Sequence, residues 1–346
     1  MKAVVFEKHG GVDVLQNKDV AVPDISPNDV LIRVKATALN YNDIWARRGV
    51  PGMDFIFPHI SGTDASGVVE AVGSEVKNVC VGDEIVVQGI FSCGSCYECL
   101  KGDPALCSDL KVWGFQTGPL DGGQAEYARV PAINIVPKPK NLTWEESASI
   151  PMTLTTAWRM LVTRAKIKPG DFVLVWGGTG GIGSMAIQIC KVFNARAIAV
   201  AGSDEKLHLS HELGAEFLIN RKKQRVLREV SKITSRQGVD IVFEHVGEAT
   251  WETSAYALKW GGTIVVCGAT TGFKAITDLR FLWNKQQKYL GSHGGTTPEL
   301  VDALQFVNNG MIKPVIMDVL PLKDIAKGHG IIEKGNVMGK IVLTLP

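Results

Sequence analysis

Cys93, Cys96, Cys99 and Cys107 stand at C-x2-C-x2-C-x7-C spacing, in a stretch punctuated by Gly94, Gly102 and Pro104. Four thiolates complete a tetrahedral shell around zinc, and the glycines and proline suit the tight loop that such a shell requires. A closed set of four sulfurs leaves no open coordination position, so one Zn2+ held there supports the loop and takes no part in catalysis. An iron–sulfur cluster also takes four cysteine thiolates and is the competing reading. Cys80, Cys190 and Cys267 stand singly, and an odd total of seven argues against a disulfide framework.

A second constellation is Gly177-Gly178-Thr179-Gly180-Gly181-Ile182-Gly183, between the apolar run 173–176 and the helix-like run 184–190. Gly178, Gly180 and Gly183 satisfy G-x-G-x-x-G, with Thr179, Gly181 and Ile182 in the variable positions. The first glycine permits the tight turn, the second lets backbone approach a pyrophosphate, and the third lets helix pack on strand. The helix N-terminus then offers unpaired N–H groups to the anion. Such a motif alone is weak, because many glycine-rich turns are only turns; its strand-turn-helix setting points to a dinucleotide. No Gly-Lys-Ser/Thr follows, which disfavours a phosphate-loop NTPase.

The next strand, 197–201, ends without the acid that would bind the ribose 2′-OH of NAD. Ser203, Lys206 and Arg221 follow instead, a hydroxyl and two cations suited to the 2′-phosphate of NADPH. Asp204 and Glu205 oppose this, although a solvated helix start carries acids for its own reasons. NADPH is therefore the expected cofactor, with Gly268 at the end of the fifth strand completing its candidate contacts.

These sites need two kinds of scaffold. From residue 1 to 140 the chain reads as short alternating strands between Gly, Pro and Asp turns, a mostly β, barrel-like domain with the cysteine lobe at 91–108. Thr143 and Glu146 form a capping-box signal after Pro137-Lys138-Pro139, and the boundary is placed there. From 141 to 310 strands alternate with helices, at 172–176, 197–201, 217–219, 241–243, 263–267 and 289–292, predicting a doubly wound α/β Rossmann sheet. Residues 311–346 return to strand and turn character and rejoin the first domain.

Length and composition agree with this division: 346 residues with 45% hydrophobic content can bury two cores. Lys plus Arg number 37 against 35 Asp plus Glu, so the net charge of +2 gives no reason to expect nucleic acid or membrane partners. The N-terminus shows no signal-peptide pattern, and no apolar run approaches the roughly 20 residues of a membrane span. A cytoplasmic protein is expected.

With its N-terminal β domain, cysteine lobe and Rossmann unit, the chain resembles the medium-chain dehydrogenase/reductase superfamily over nearly its whole length. That resemblance implies a GroES-like catalytic domain, hydride transfer in an interdomain cleft, and a homodimer or homotetramer. Zinc alcohol dehydrogenases of this superfamily carry a catalytic cysteine, a Gly-His-Glu run and a second cysteine. The matching positions here are Asn40, Gly62-Thr63-Asp64 and the Met152-Thr153 region, so no catalytic zinc shell is expected. Reduction of a conjugated C=C bond then becomes the expected chemistry, since hydrogen-bond donors stabilise an enolate without a metal.

Local runs resemble the crotonyl-CoA carboxylase/reductase group more closely: Asn40-Tyr41-Asn42-Asp43-Ile44-Trp45, Trp113-Gly114-Phe115-Gln116-Thr117, Leu142 to Glu146, Asp240 to His245, and Gly291-Ser292-His293. The resemblance implies catalytic positions at Asn40, with Asn42 as the alternative register, at Phe115 and Gln116, and at His293. Carboxylating members carry Glu where this chain has Gln116, which implies plain reduction; that group also lacks the cysteine lobe. Plainer readings stand beside these. Asn40 and Asn42 could simply cap a helix, His293 could be a structural strand-end histidine, and Arg47 and Arg48, candidate guides for a coenzyme A tail, could be a solvated helix face. The expected activity is NADPH-dependent reduction of a short 2-enoyl-CoA of the acryloyl or crotonyl type. A zinc-containing NADPH quinone oxidoreductase and a non-catalytic NADPH-binding protein are the alternatives.

Overall fold

A computed structural model describes residues 1–116 and 121–346; Thr117, the end of the Trp113 run, lies outside them. The chain divides into two compact units, one formed by Met1–Met152, Gly295–Asn308 and Pro314–Pro346, the other by Thr153–Gly294 and Asn309–Lys313. Among the described residues no helix is long and apolar enough to cross a membrane.

In chain order the strands are β1 (Lys2–Val5), β2 (Gln16–Asp19), β3 (Asp29–Ala38), β4 (Ala65–Val72), β5 (Glu84–Val87), β6 (Ile90–Phe91), β7 (Lys111–Val112), β8 (Tyr127–Pro131) and β9 (Ile135–Pro137). The second unit contributes β10 (Phe172–Trp176), β11 (Arg196–Ala201), β12 (Phe217–Asn220), β13 (Val239–Glu244), β14 (Leu258–Val266) and β15 (Lys288–Gly291). The chain then returns to the first with β16 (Ile316–Pro321) and β17 (Lys340–Thr344).

The first unit is built on β3. Its alternation puts Val30, Ile32, Val34 and Ala36 inward, where each large side chain contributes about 1.5–3 kcal/mol of burial. One edge of β3 pairs with β4; the other is shared, with Asp29–Arg33 on β8 and Ala36–Ala38 on β17. The sheet runs β16-β17-β3-β4-β5-β9. This brings the C-terminal strand beside the segment that leads into helix Tyr41–Arg48.

The second unit is a six-stranded parallel sheet in the order β12-β11-β10-β13-β14-β15. Counted from β10 this is 3-2-1-4-5-6, the doubly wound Rossmann order, whose switch point lies between the carboxyl ends of β10 and β13. Val173, Leu174 and Val175 are fully buried, as a central parallel strand covered on both faces requires.

The capping box at Thr143 forms, with Thr143 Oγ1 accepting from the Glu146 N–H at 3.2 Å and Glu146 Oε2 accepting from the Thr143 N–H at 2.9 Å. The helix it starts, Trp144–Ala148, packs on β3, β4 and β17 and so belongs to the first unit. Helix Thr297–Asn308 also falls there rather than with the Rossmann strands. Asn141 Nδ2 donates to the Val307 carbonyl and Gln88 Nε2 to the Gly295 carbonyl, both across long sequence separations. By contacts, then, the first unit extends past the cap at Thr143 and takes in residues 295–308, because a cap marks where a helix begins and not the sheet on which it packs.

Candidate active site

The turn after β10 is shaped by its glycines. Gly177 has φ +58° and Gly180 caps helix Gly181–Val192. A methyl on Gly183 would lie 2.3 Å from the Gly177 carbonyl oxygen, and one on Gly178 would lie 2.9 Å from Ile187 Cδ1. Gly180 differs: the nearest atom to such a methyl is the Gly177 oxygen at 3.5 Å, so its outer side is open. Thr179 is buried, while Gly181 and Ile182 are half-buried at the helix start. Two glycines thus permit the packing and one leaves room for a ligand against backbone, which fits a dinucleotide pyrophosphate at a helix N-terminus. Gly268, after β14, is similarly open, with the His245 carbonyl oxygen at 3.5 Å as its nearest neighbour.

At the ends of β11 and β12 the cations gather around Gly202. A methyl there would lie 3.5 Å from Lys222 Cε and 3.6 Å from Arg221 Nη2. Burial, and then repulsion from Arg221, hold the Lys206 ammonium below its ordinary pKa, with Lys222 adding a smaller push the same way. Asp204 is turned to other partners, accepting from Asn220 Nδ2 at 2.7 Å and from Lys223 Nζ at 2.5 Å. Ser203 caps helix Asp204–Glu212, its Oγ accepting from the Lys206 N–H at 3.4 Å. The arrangement gathers three cations that could hold an anion; Lys222 is not among the sequence-predicted residues, and its only signal was adjacency to Arg221.

The polar residues at the end of the Asp240–His245 run have partners inside the protein. Glu244, fully buried, accepts from the Val246 and Gly247 N–H groups and from the Thr250 and Ser254 hydroxyls. His245 Nε2 donates to the Trp176 carbonyl at 2.9 Å, tying β13 to the end of β10. His293 follows β15 by two residues and keeps an exposed face. Desolvation first, and the Arg159 guanidinium second, hold its imidazole below the ordinary value, favouring the neutral ring. Beside it Ser292 Oγ is buried without a partner among the described residues.

In the first unit, the four lobe cysteines converge with all sulfurs within 4.8 Å of one another. Sγ separations are 3.5 Å for Cys96–Cys99 and Cys93–Cys107, and 4.0 Å for Cys93–Cys99. A tetrahedron of thiolates at about 2.3 Å from zinc has edges of about 3.8 Å. A multi-iron cluster would spread the sulfurs further, since each binds a different iron. The donor set therefore fits one zinc ion. Backbone N–H groups of Ser95 and Cys96 lower the Cys93 thiol to about 6, while desolvation raises Cys99 to about 11.

Asn40 is the N-cap of helix Tyr41–Arg48, in a capping box with Asp43, and its side chain has further partners. Its Nδ2 donates to Thr63 Oγ1 at 2.7 Å and Asp64 Oδ2 at 2.8 Å, while its Oδ1 accepts from Lys340 Nζ at 2.5 Å. Lys340 Nζ also reaches Asp64 Oδ2 at 3.1 Å. Asp64 Oδ1 accepts from the Met152 N–H at 2.8 Å, and Asp43 accepts from the N–H groups of Asn40 and Gly62. Desolvation raises the Asp43 carboxyl to about 7. Both Asn40 amide protons are thereby committed inside the protein. The half-buried Asn42 amide, by contrast, has no hydrogen-bond partner among the described residues.

Phe115 is 6% exposed, packed with Phe6, Ala46, Ile90 and Met152 and edge-on to Phe55; half-buried Gln116 follows it. Gly114, at φ +63°, sits so close to Gly62 that a methyl would lie 2.6 Å from the Gly62 oxygen, which brings this loop against the Thr63–Asp64 segment. The reading of Arg47 as a coenzyme A guide is corrected: it is 1% exposed and donates to the Gly10 carbonyl, His329 and Glu333. Arg48 pairs with the same Glu333.

Residues 26–140 match the alcohol dehydrogenase GroES-like domain family, and residues 181–309 match the zinc-binding dehydrogenase family. The chain is 38% identical to a crotonyl-CoA carboxylase/reductase of Cereibacter sphaeroides, over 94% of this chain and 83% of that protein. It belongs to the medium-chain dehydrogenase/reductase superfamily. Among solved structures, an NAD-dependent alcohol dehydrogenase superposes with a TM-score of 0.95 at 40% identity, covering 100% of both chains. A crotonyl-CoA carboxylase/reductase in complex with NADP superposes with a TM-score of 0.94 at 31% identity, covering 99% of this chain and 94% of that one. This superfamily member is an oxidoreductase with a Rossmann unit, a GroES-like domain and a four-cysteine zinc site.

Proposed function

We propose that this oxidoreductase uses NADPH to reduce the C=C bond of a short 2-enoyl-CoA, of the acryloyl or crotonyl type, without carboxylating it. The observation that carries the reading is the Asn40–Thr63–Asp64–Lys340 network. Where a metal-dependent alcohol dehydrogenase needs soft or imidazole ligands, this chain has an amide, a hydroxyl and a carboxylate already paired with an ammonium. A fixed cation 2.5 Å from Asn40 Oδ1 opposes a divalent ion at the same place. Similarity to a crotonyl-CoA carboxylase/reductase supports the substrate class, and the cations around Gly202 support NADPH over NADH.

Gly178 and Gly183 would hold the turn while Gly180 leaves room for the pyrophosphate against the N–H groups of Gly181 and Ile182, and Ser203, Lys206, Arg221 and Lys222 would hold the 2′-phosphate. When bound, NADPH supplies the hydride for the thioester's β-carbon. The chain's own residues supply the rest. Asn42, whose amide has no partner among the described residues, would offer it to the thioester oxygen, and Asn40 would brace the turn that presents it. Hydride addition leaves an enolate that must take a proton at its α-carbon, and His293, whose ring favours the neutral form, would pick that proton up from solvent and pass it on. Phe115 and Gln116 form the apolar and polar parts of one wall, and an amide at 116 supplies no carboxylate for a carboxylation pocket. The assembly implied by the resemblance is a homodimer or homotetramer, measurable by light scattering.

The test is NADPH oxidation against enoyl thioesters, quinones and aldehydes presented singly. Turnover with crotonyl-CoA supports the proposal. Turnover confined to a quinone or an aldehyde overturns it.

A further inference from the structure

We propose that Lys340 is a positioning residue: through the Asn40 carboxamide it fixes the first turn of helix Tyr41–Arg48 in the geometry that turnover requires. The inference rests on the enoyl-thioester reading for its assay substrate. Its geometry stands apart from that reading.

The two ends of a carboxamide have nearly the same shape, so only donors and acceptors around it choose its orientation. Lys340 Nζ, which can only donate, stands 2.5 Å from one end of Asn40, and Asp64 Oδ2, which accepts, stands 2.8 Å from the other. A flipped amide would set NH2 against the ammonium and C=O against the carboxylate. The ammonium and carboxylate together therefore dictate one orientation.

Four chain segments meet at this point. Asp64 Oδ1 takes the Met152 N–H, and Asp43 bridges the Asn40 and Gly62 N–H groups, at 2.7 and 3.0 Å. Lys340 enters from β17, behind a turn in which Gly339 has φ +85° and a methyl on it would lie 2.2 Å from the Val315 oxygen. Lys340 is 4% exposed and Asp64 fully buried. An isolated buried pair of this kind adds little net stability over an apolar replacement, which leaves positional specificity as its contribution. Asp64 neutralises Lys340, so the pair offers an enolate no net positive charge. What it transmits is orientation, along Asn40 into the turn carrying Asn42.

Lys340→Met alone leaves a buried unpaired carboxylate, so the primary test is the double variant K340M/D64N, which removes both charges. Melting temperature and NADPH affinity report folding; kcat and KM with crotonyl-CoA report the inference. We expect a folded variant with unchanged NADPH affinity and KM, a kcat reduced about ten- to a hundredfold, and substantial recovery in Lys340→Arg. Adding Asn40→Ala to K340M/D64N should lower kcat no further, because both act through one amide. A folded double variant with wild-type kcat, or losses that multiply when Asn40→Ala is added, would overturn the proposal. If the wild-type chain is silent with crotonyl-CoA, the substrate reading has failed, and the same variants are measured on whichever acceptor the wild type reduces.

Discussion

Replacing Arg221 and Lys222 together by alanine should convert an NADPH-selective chain into one that barely distinguishes NADPH from NADH. Both side chains bend over Gly202, within 3.5–3.7 Å of where a methyl on that residue would sit. A unit ion pair at about 4 Å is worth about 1 kcal/mol in water and about 4 kcal/mol at an effective dielectric of 20. Arg221 and Lys222 are exposed, so solvent screening brings the joint contribution to about 1.5–3 kcal/mol, in the range of charge-assisted hydrogen bonds. That corresponds to a rise of about ten- to a hundredfold in Kd for NADPH. NADH lacks the phosphate and should lose little. Fluorescence titration of both cofactors, at low and physiological salt, measures this directly, and wild-type preference for NADPH should shrink as salt shortens the screening length. Equal losses for the two cofactors, or wild-type affinity for NADH matching that for NADPH, would refute the assignment.

The two motif glycines should separate in their effects. Gly183→Ala sets a methyl 2.3 Å from a backbone oxygen and should lower stability by about 1–3 kcal/mol. Gly180→Ala meets nothing nearer than 3.5 Å among the described residues and should melt near wild type while losing affinity for both cofactors, checked by calorimetry and titration. Elemental analysis should find one zinc per chain, reduced by Cys93→Ser or Cys107→Ser with a fall in melting temperature. Asp43 is raised from 3.8 to about 7 by desolvation, so between those values the folded chain holds a proton that the unfolded chain has released. Its contribution to stability therefore falls as pH rises from about 4 to about 7. Melting curves of Asp43→Asn should show that part of the slope removed.

What could be read in the sequence was local. The glycine turn carries its own strand and helix, and the cysteine spacing fits one metal shell, so both survive folding as written. What could not be read was long-range or depended on what a polar group faces. Lys340 meets Asn40 across 300 residues, and a C-terminal strand lysine gives no sign of its partner. Asn40 matched a site position, yet its amide protons are taken up by Thr63 and Asp64, whereas Asn42, the alternative register, has no amide partner among the described residues. The Asp240–His245 run carried part of the family resemblance, but that Glu244 and His245 bond backbone and hydroxyl groups at a strand end was not readable from it. Arg47 looked like a surface cation until the C-terminal helix carrying His329 and Glu333 covered it.

The most direct measurement is the rate and product mass of crotonyl-CoA reduction by NADPH, followed while zinc is added beyond one ion per chain and bicarbonate is supplied. The account predicts butyryl-CoA as the product, at a rate indifferent to both additions. Activity that appears only with a second zinc, as alcohol oxidation and not as C=C reduction, would contradict it.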